Sequence, residues 1–388
     1  MGLIPDLEPK GRRKTQYRYL EQLWKKRMGR LVLALSAASP TLELVDAPTI
    51  VLHLAGGSGF GKSCLCRAAI ACYGDPAGPL LRFDLAKDTT NYVDAQLGIV
   101  RNFPVLIDET TLLNPDDIGK LAYNVALGAD RGRLGGTEMG YTPTDPNPYR
   151  LVALMSGEHS IRDQVEHRGA TARIAEIVLD KHIFPIAEIG RWYQRANRHH
   201  GWIGLDLMKN VIARYQGDET HHWAPLRKLY NHIHQNTARW CHDHGRVIDF
   251  LAVLQLGYVL MYRQLTMKFR VLKKGELKAI RGKARRFART IYGQLNLVVG
   301  VDRVLSEIRQ LPKIDRWVKK RLVPLTILKP AADRVGMTQR GRLTALLKKH
   351  GLSSGVQPRH VRLKKSAPRK STRCVLLTQE GVKRLSGS

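Results

Sequence analysis

The chain has 388 residues, enough for two or three domains with full cores, and its apolar (43%) and charged (25%) fractions are those of a soluble globular protein. Five cysteines, three of them within nine residues, give no disulfide framework and fit a reducing, cytoplasmic setting; with its polar, basic start the chain is expected to carry no signal peptide. The net charge of +31 points to a polyanionic partner, and it is unevenly placed: residues 263–388 hold 33 Lys and Arg against 6 Asp and Glu, leaving a net of only +4 elsewhere.

Residues 1–47 are expected to form a basic tail followed by one or two amphipathic helices between Tyr17 and Ala38. Residues 48–186 alternate strand and helix. Strands are expected at Thr49–Ala55, Leu80–Leu85, Val105–Ile107, Leu151–Met155 and Ile174–Leu179. Helices are expected at Lys62–Tyr73, Tyr92–Val100, Pro115–Leu127 (capped by Asn114) and about His159–His167. That alternation predicts a mostly parallel five-stranded α/β sheet with helices on both faces. Residues 187–310 read as helical, and the apolar run Phe250–Tyr262, too short to span a bilayer, reads as a buried helix. Residues 311–388 read as a basic winged helix: helices at Thr326–Val335 and Thr338–His350, then strands at Val361–Lys364 and Cys374–Leu377 around a basic loop.

Within the first strand–helix unit, Gly56-Gly57-Ser58-Gly59-Phe60-Gly61-Lys62-Ser63 has the spacing of a P-loop. Its glycines let successive N–H groups face phosphates, Lys62 would reach the β/γ-phosphates of ATP, and Ser63 would ligate Mg²⁺. The acidic pair that ends the third strand supplies the second half: Asp108 for Mg²⁺, through water, and Glu109 to orient the attacking water. Ser156, after the fourth strand, stands where a γ-phosphate sensor is needed. Arg168 closes the next helix, where ring ATPases project an arginine finger, with Arg162 and Arg173 as competitors. The cluster His232, His234, Cys241, His242 and His244 lacks metal-site spacing and is read as structural.

With these residues in place, the stretch from Arg30 to Phe184 resembles the helicase-like ATPases, long known as a domain of unknown function, of phage, plasmid and staphylococcal cassette-chromosome replication proteins. These lie near the superfamily-three and minichromosome-maintenance helicases of the AAA+ class. The resemblance rests on Leu52–Ser63 and Ile107-Asp108-Glu109. It also rests on Ala122-Tyr123-Asn124 leading to Gly128-x3-Gly132-Arg133, and on Leu154-Met155-Ser156-Gly157-Glu158. It departs at Ser63-Cys64, where the family has Thr-Thr, and at Ala170-Thr171-Ala172-Arg173, where Gln-Glu-Val-Arg is usual; the primase-like region of many relatives is not found.

The resemblance implies a ring-forming DNA motor, expected as a hexamer, and a hairpin between Ala129 and Arg150 reaching the ring's pore. Arg131 and Arg133 would hold phosphates there and Tyr141 would pack against the sugar–base face. Lys273, Lys274, Arg285 and Arg286 belong to a charged helix with one acidic residue, Glu276, in place of the usual compensating partners, so phosphate contact is expected. In the last domain Arg340, Arg342, Lys348 and Lys349 would face a groove, and Arg369 and Lys370 the backbone. The expected activity is ATP-driven translocation or unwinding of single-stranded or forked DNA, away from any membrane, in replication of a mobile element. The rivals are an initiator or loader that uses ATP as an assembly switch, and an ATPase of a defence or transposition system.

Overall fold

In a computed structural model of the protein, the apolar segments between residues 50 and 178 pair into one all-parallel sheet. Its strands are β1 (Ile50–Ala55), β2 (Arg82–Asp84), β3 (Val105–Asp108), β6 (Val152–Gly157) and β7 (Ile174–Val178), in the order β2–β3–β6–β1–β7. Strands β1, β3 and β6 are buried along their whole length, the pattern of parallel strands covered on both faces. The edge strand β2 is shorter than expected because it pairs with β3 only at Arg82–Asp84.

The structure describes residues 5–129, 147–164, 172–217 and 222–295 (apart from 242 and 244), the hairpin strands 133–137 and 140–144 as backbone, and part of 308–385. The chain divides into two compact units, residues 1–291 and 292–388.

Helices alternate with the strands: α3 (Lys62–Ile70), α4 (Thr90–Val100), α5 (Pro115–Leu127) and α6 (Ile161–Gln164). Asn114 caps α5 by accepting the Asp117 N–H, Pro115 fills the first turn, and Gly128 ends the helix in the left-handed conformation. Between α5 and β6 the chain forms the hairpin implied by the family resemblance: β4 (Arg133–Thr137) runs antiparallel to β5 (Gly140–Thr144).

The N-terminal stretch folds as two helices, α1 (Arg13–Lys25) and α2 (Arg27–Ala38), because Lys26 between them is extended. From residue 5 onward the expected tail is docked. Leu80 N–H donates to Asp6 Oδ2, Lys10 bridges His200, and the Trp202 indole donates to the carbonyls of Lys10 and Gly11.

Beyond the sheet come α7 (Ile186–Arg198), α8 (Trp202–Tyr215), α9 (Ala224–Ala238), α10 (Gly245–Met267) and α11 (Glu276–Tyr292). Helix α10 outruns the apolar segment seen in the sequence; at 23 residues it is long and apolar enough to cross a membrane by length and composition, yet 72% of its apolar window is buried inside the fold. It lies against α2, and a Cβ on Gly257 would stand 1.8 Å from the Ala34 carbonyl oxygen, so only glycine lets the two backbones approach this closely. Two of its buried polar side chains reach hydroxyl partners: Gln255 donates to Thr237, and Arg263 to the Tyr215 hydroxyl at 2.6 Å.

In the second unit, β8 (Leu322–Pro324), β9 (Ser353–Val361) and β10 (Lys370–Leu377) form an antiparallel sheet of order β8–β10–β9. Of the expected strand Val361–Lys364 only Val361 is described, as the last residue of β9; the rest lies outside the described residues. The sequence of β9, with Gly355 and Pro358, has little intrinsic strand preference and takes its register from β10. The two helices of the expected winged helix lie largely outside the described residues, as does the basic loop.

Candidate functional site

Strand β1 delivers the P-loop to the carboxyl edge of the sheet, where open α/β sheets bind ligands. Gly59 and Gly61 have φ of +75° and +86°, and a Cβ on Gly61 would also come within 2.8 Å of the Phe184 ring. The segment after β7 braces the loop, with Ile183 N–H donating to Phe60 O and His182 Nδ1 standing 3.1 Å from Gly59 O. No signal in the sequence pointed to these residues.

The loop opens onto a cavity of about 150 Å³ lined by Ser58, Lys62, Ser63, Glu109 and Ser156, with Ile189 and Tyr193 of α7 across from them. Lys62 is buried, and its Nζ donates to the carbonyls of Gly56 (2.7 Å) and Gly57 (3.0 Å). Desolvation pushes its pKa down, against the pull of Glu158, Glu109 and Asp108. Asp108, buried at the end of β3, accepts hydrogen bonds on one oxygen from both Ser63 (2.8 Å) and Ser156, and those two hydroxyls are 3.4 Å apart. Residues 63, 108 and 156 thus meet as an all-oxygen cluster, the donor chemistry of Mg²⁺, beside a buried ammonium suited to phosphate. The donor set and the glycine cradle fit the phosphate end of a magnesium nucleotide.

Glu109 sits in the left-handed region (φ 62°, ψ 42°), a conformation that costs a non-glycine residue roughly 1–3 kcal/mol and is found at functional sites. Desolvation first, then Asp108 and Asp84, raise its pKa above that of an ordinary glutamate. Arg82 on β2, which no motif in the sequence marks, reaches Asp84 at 2.9 Å and Asp108 at 3.6 Å from one guanidinium nitrogen.

Behind the site lies a second buried polar set. His53 of β1 and Glu176 of β7 are neighbours in register, both fully buried, with His53 Nδ1 and Glu176 Oε2 2.9 Å apart. The same oxygen accepts the Ile161 N–H at 2.7 Å, and Oε1 accepts the Ser160 hydroxyl at 2.6 Å. On the other side His53 Nε2 is 3.2 Å from the Thr110 hydroxyl, which donates to Ser156 O. This chain of contacts ties the start of α6 to the residue following Glu109. An apolar strand with one histidine gave no hint of it.

Arg168 lies outside the described residues. Of its competitors, Arg162 donates to Ile174 O, and the Arg173 guanidinium lies 4.6 Å over the Tyr123 ring, so each is engaged within its own chain. Arg131 falls outside the described residues; Arg133 and Tyr141 are placed on opposite hairpin strands by their backbone. Arg340, Arg342, Lys349 and Arg369 are not described, Lys348 is exposed, and Lys370 begins β10.

The basic helix splits its charges. Arg281 and Arg285 act on His232, whose pKa is lowered by desolvation and then by these arginines. Lys283 and Arg286 instead face α1 and α2 across a separate groove. Lys273 and Lys274 precede the helix, where the Lys273 N–H donates to Glu276. The zinc-like cluster holds a plain contact, His234 Nε2 to Asp249 at 3.0 Å.

Residues 3–140 match the family described as "Domain of unknown function (DUF927)", a span that includes the P-loop and the acidic pair. No curated protein sequence matches the chain. Among the solved structures, a chain described as "SCCmec type IV Cch - active helicase" superposes with a TM-score of 0.58 at 15% identity, covering 98% of this chain and 73% of its own. The likeness is one of fold: an α/β sheet with flanking helices of the kind that helicase carries.

Proposed function

We propose that the chain is an ATP-driven DNA translocase or helicase that works as a hexameric ring in the replication of a mobile element. The observation that carries this reading is the meeting of Ser63, Asp108 and Ser156 on one carboxylate oxygen, at the mouth of a P-loop cavity also lined by Lys62 and Glu109. The fold shared with a helicase of a cassette element, the match to the DUF927 family and the basic last third support it.

In this reading Ser63 and Asp108 would hold Mg²⁺, and the ion when bound would neutralise charge on the nucleotide's phosphates. Lys62 places a buried ammonium on the cavity floor, where low dielectric strengthens its attraction for phosphate. Glu109 orients the attacking water and accepts its proton. Ser156, held by Asp108, keeps its hydroxyl between the acidic pair and the P-loop. Arg168 acts across a subunit boundary, the hairpin β4–β5 lines the pore, and the second unit anchors DNA through its basic side chains.

The test is ATP turnover measured with and without DNA, beside strand displacement on a forked duplex. The proposal expects DNA-stimulated turnover coupled to displacement, and a Glu109→Gln chain that binds ATP and does not turn it over. Turnover by Glu109→Gln at the parent rate overturns the catalytic assignment. ATP binding without turnover in the parent chain turns the reading to an assembly switch.

A further inference from the structure

Away from the nucleotide cavity, α1, α2, α10 and α11 line a groove of about 400 Å³. Five cations line it: Lys25 at the end of α1, Arg27 and Arg30 of α2, and Lys283 and Arg286 of α11. Among the described residues no carboxylate lines it. Like charges gathered from three helices repel one another, so such a cluster is favourable only where an anion offsets it.

Aromatic side chains position two of these cations, Arg30 and Lys283. The Arg30 guanidinium lies 5.8 Å from the Trp24 ring and 5.4 Å from Phe287, and its Nε donates to Trp24 O at 3.1 Å. Lys283 donates to the Tyr262 hydroxyl at 3.0 Å and lies 4.9 Å over the same ring. Tyr262 in turn stacks on Tyr258, whose ring contacts Trp24 at 5.1 Å and Phe287 at 5.6 Å. An aromatic partner fixes a cation without cancelling its charge, as a carboxylate would. At Arg30 and Lys283 the groove therefore presents preorganised positive charge. Tyr258 and Phe287 are themselves buried at 5% and 7% exposure, which leaves no open ring face for a base to stack on.

We propose that this groove binds the sugar–phosphate backbone of a single nucleic-acid strand, without reading its bases. The proposal deepens the nucleic-acid reading above by giving it a site in the first unit, built from N-terminal residues and from residues 258–290. The cations are spread over a groove rather than focused on one point, which suits successive phosphates of a strand better than one small anion.

The test is binding of a fluorescent oligo(dT) to the full chain as a function of salt, without nucleotide, so that the result is independent of whether the chain hydrolyses ATP. Two groove variants are compared, Lys283→Gln with Arg286→Gln and Lys25→Gln with Arg27→Gln. The control, Lys278→Gln with Arg281→Gln, removes the same charge from α11 outside the groove. Each phosphate that is no longer neutralised lowers the slope of log K against log[salt] by about 0.7 for a single strand, so the slope should fall by about 1.4 in each groove variant and by much less in the control. Thermal melting that matches the parent chain shows that a variant is folded; a pair that fails this check is replaced by Arg286→Gln alone, with an expected fall of about 0.7. An unchanged slope in the folded groove variants overturns the proposal, as does a fall no greater than the control's. Weaker binding of inorganic pyrophosphate or of phosphatidylserine vesicles, with oligo(dT) binding intact, also overturns it.

Discussion

Replacing Glu176 by alanine removes the acceptor that His53 Nδ1, the Ile161 N–H and the Ser160 hydroxyl share in the interior of the sheet. The serine can rotate to another partner, but the imidazole and the backbone N–H cannot. A buried donor left without its acceptor costs about 1–3 kcal/mol, and breaking a buried pair by removing one side about 3–5 kcal/mol in all. Glu176→Ala should therefore lose about 3–5 kcal/mol, a large part of the ~5–15 kcal/mol typical of a whole domain. Glu176→Gln should cost only about 1 kcal/mol, the difference between charged and neutral acceptors. Its amide oxygen, placed where Oε2 stands, still accepts both N–H groups, and its NH₂ donates to a Ser160 hydroxyl turned to accept. Urea titration followed by tryptophan fluorescence reports on this unit, since Trp24, Trp192, Trp202, Trp223 and Trp240 all lie in residues 1–291. If glutamine destabilises as much as alanine, the role of Glu176 is its charge and not its acceptor geometry, and the reasoning fails. Because His53 reaches Thr110, next to Glu109, the alanine chain should also lose turnover ahead of nucleotide affinity.

The remaining predictions concern assembly, packing and pH. Arg168→Ala and Glu109→Gln subunits should each be inactive alone and recover partial ATPase on mixing, because a mixed ring contains interfaces with both functional groups; Arg173→Ala, engaged with Tyr123, should not complement. Gly257→Ala should cost at least about 1–3 kcal/mol by urea titration, since its Cβ meets a backbone oxygen, whereas Gly245→Ala, with nothing within 4 Å, should be neutral or better. His199 has its pKa lowered by burial and by Arg12 and Arg198, in the neutral form that accepts the Arg12 N–H at 2.9 Å. That contribution is complete above about pH 6.5 and fades as pH falls through the lower folded value, because the unfolded chain takes the proton first. Hydrogen exchange at the Arg12 amide should thus lose protection as the pH falls through the lowered His199 value; protection that never falls as the imidazole takes its proton refutes the assignment.

The parts of the site legible in the sequence are those whose physics is local. The P-loop is a loop because its glycines take positive φ, and Lys62 and Ser63 follow within the same turn of chain. Asn114 and Pro115 mark a helix start by satisfying or omitting donors of that helix alone. The alternation of apolar strands and helices fixes a parallel sheet, since a parallel connection needs a crossover. Tertiary structure decided what depends on chain segments far apart. Ser156 reaches Asp108 only because β6 inserts between β1 and β3. Arg82 reaches the same carboxylate because β2 pairs with β3, and Tyr193 closes the cavity because α7 returns over it. The Glu176 network and the basic groove each join residues more than one hundred positions apart: 123 separate His53 from Glu176, and α1 meets α11. No sequence pattern records such distances. They follow from burying apolar faces such as those of α2 and α10, and that burial then sets which polar groups stand together.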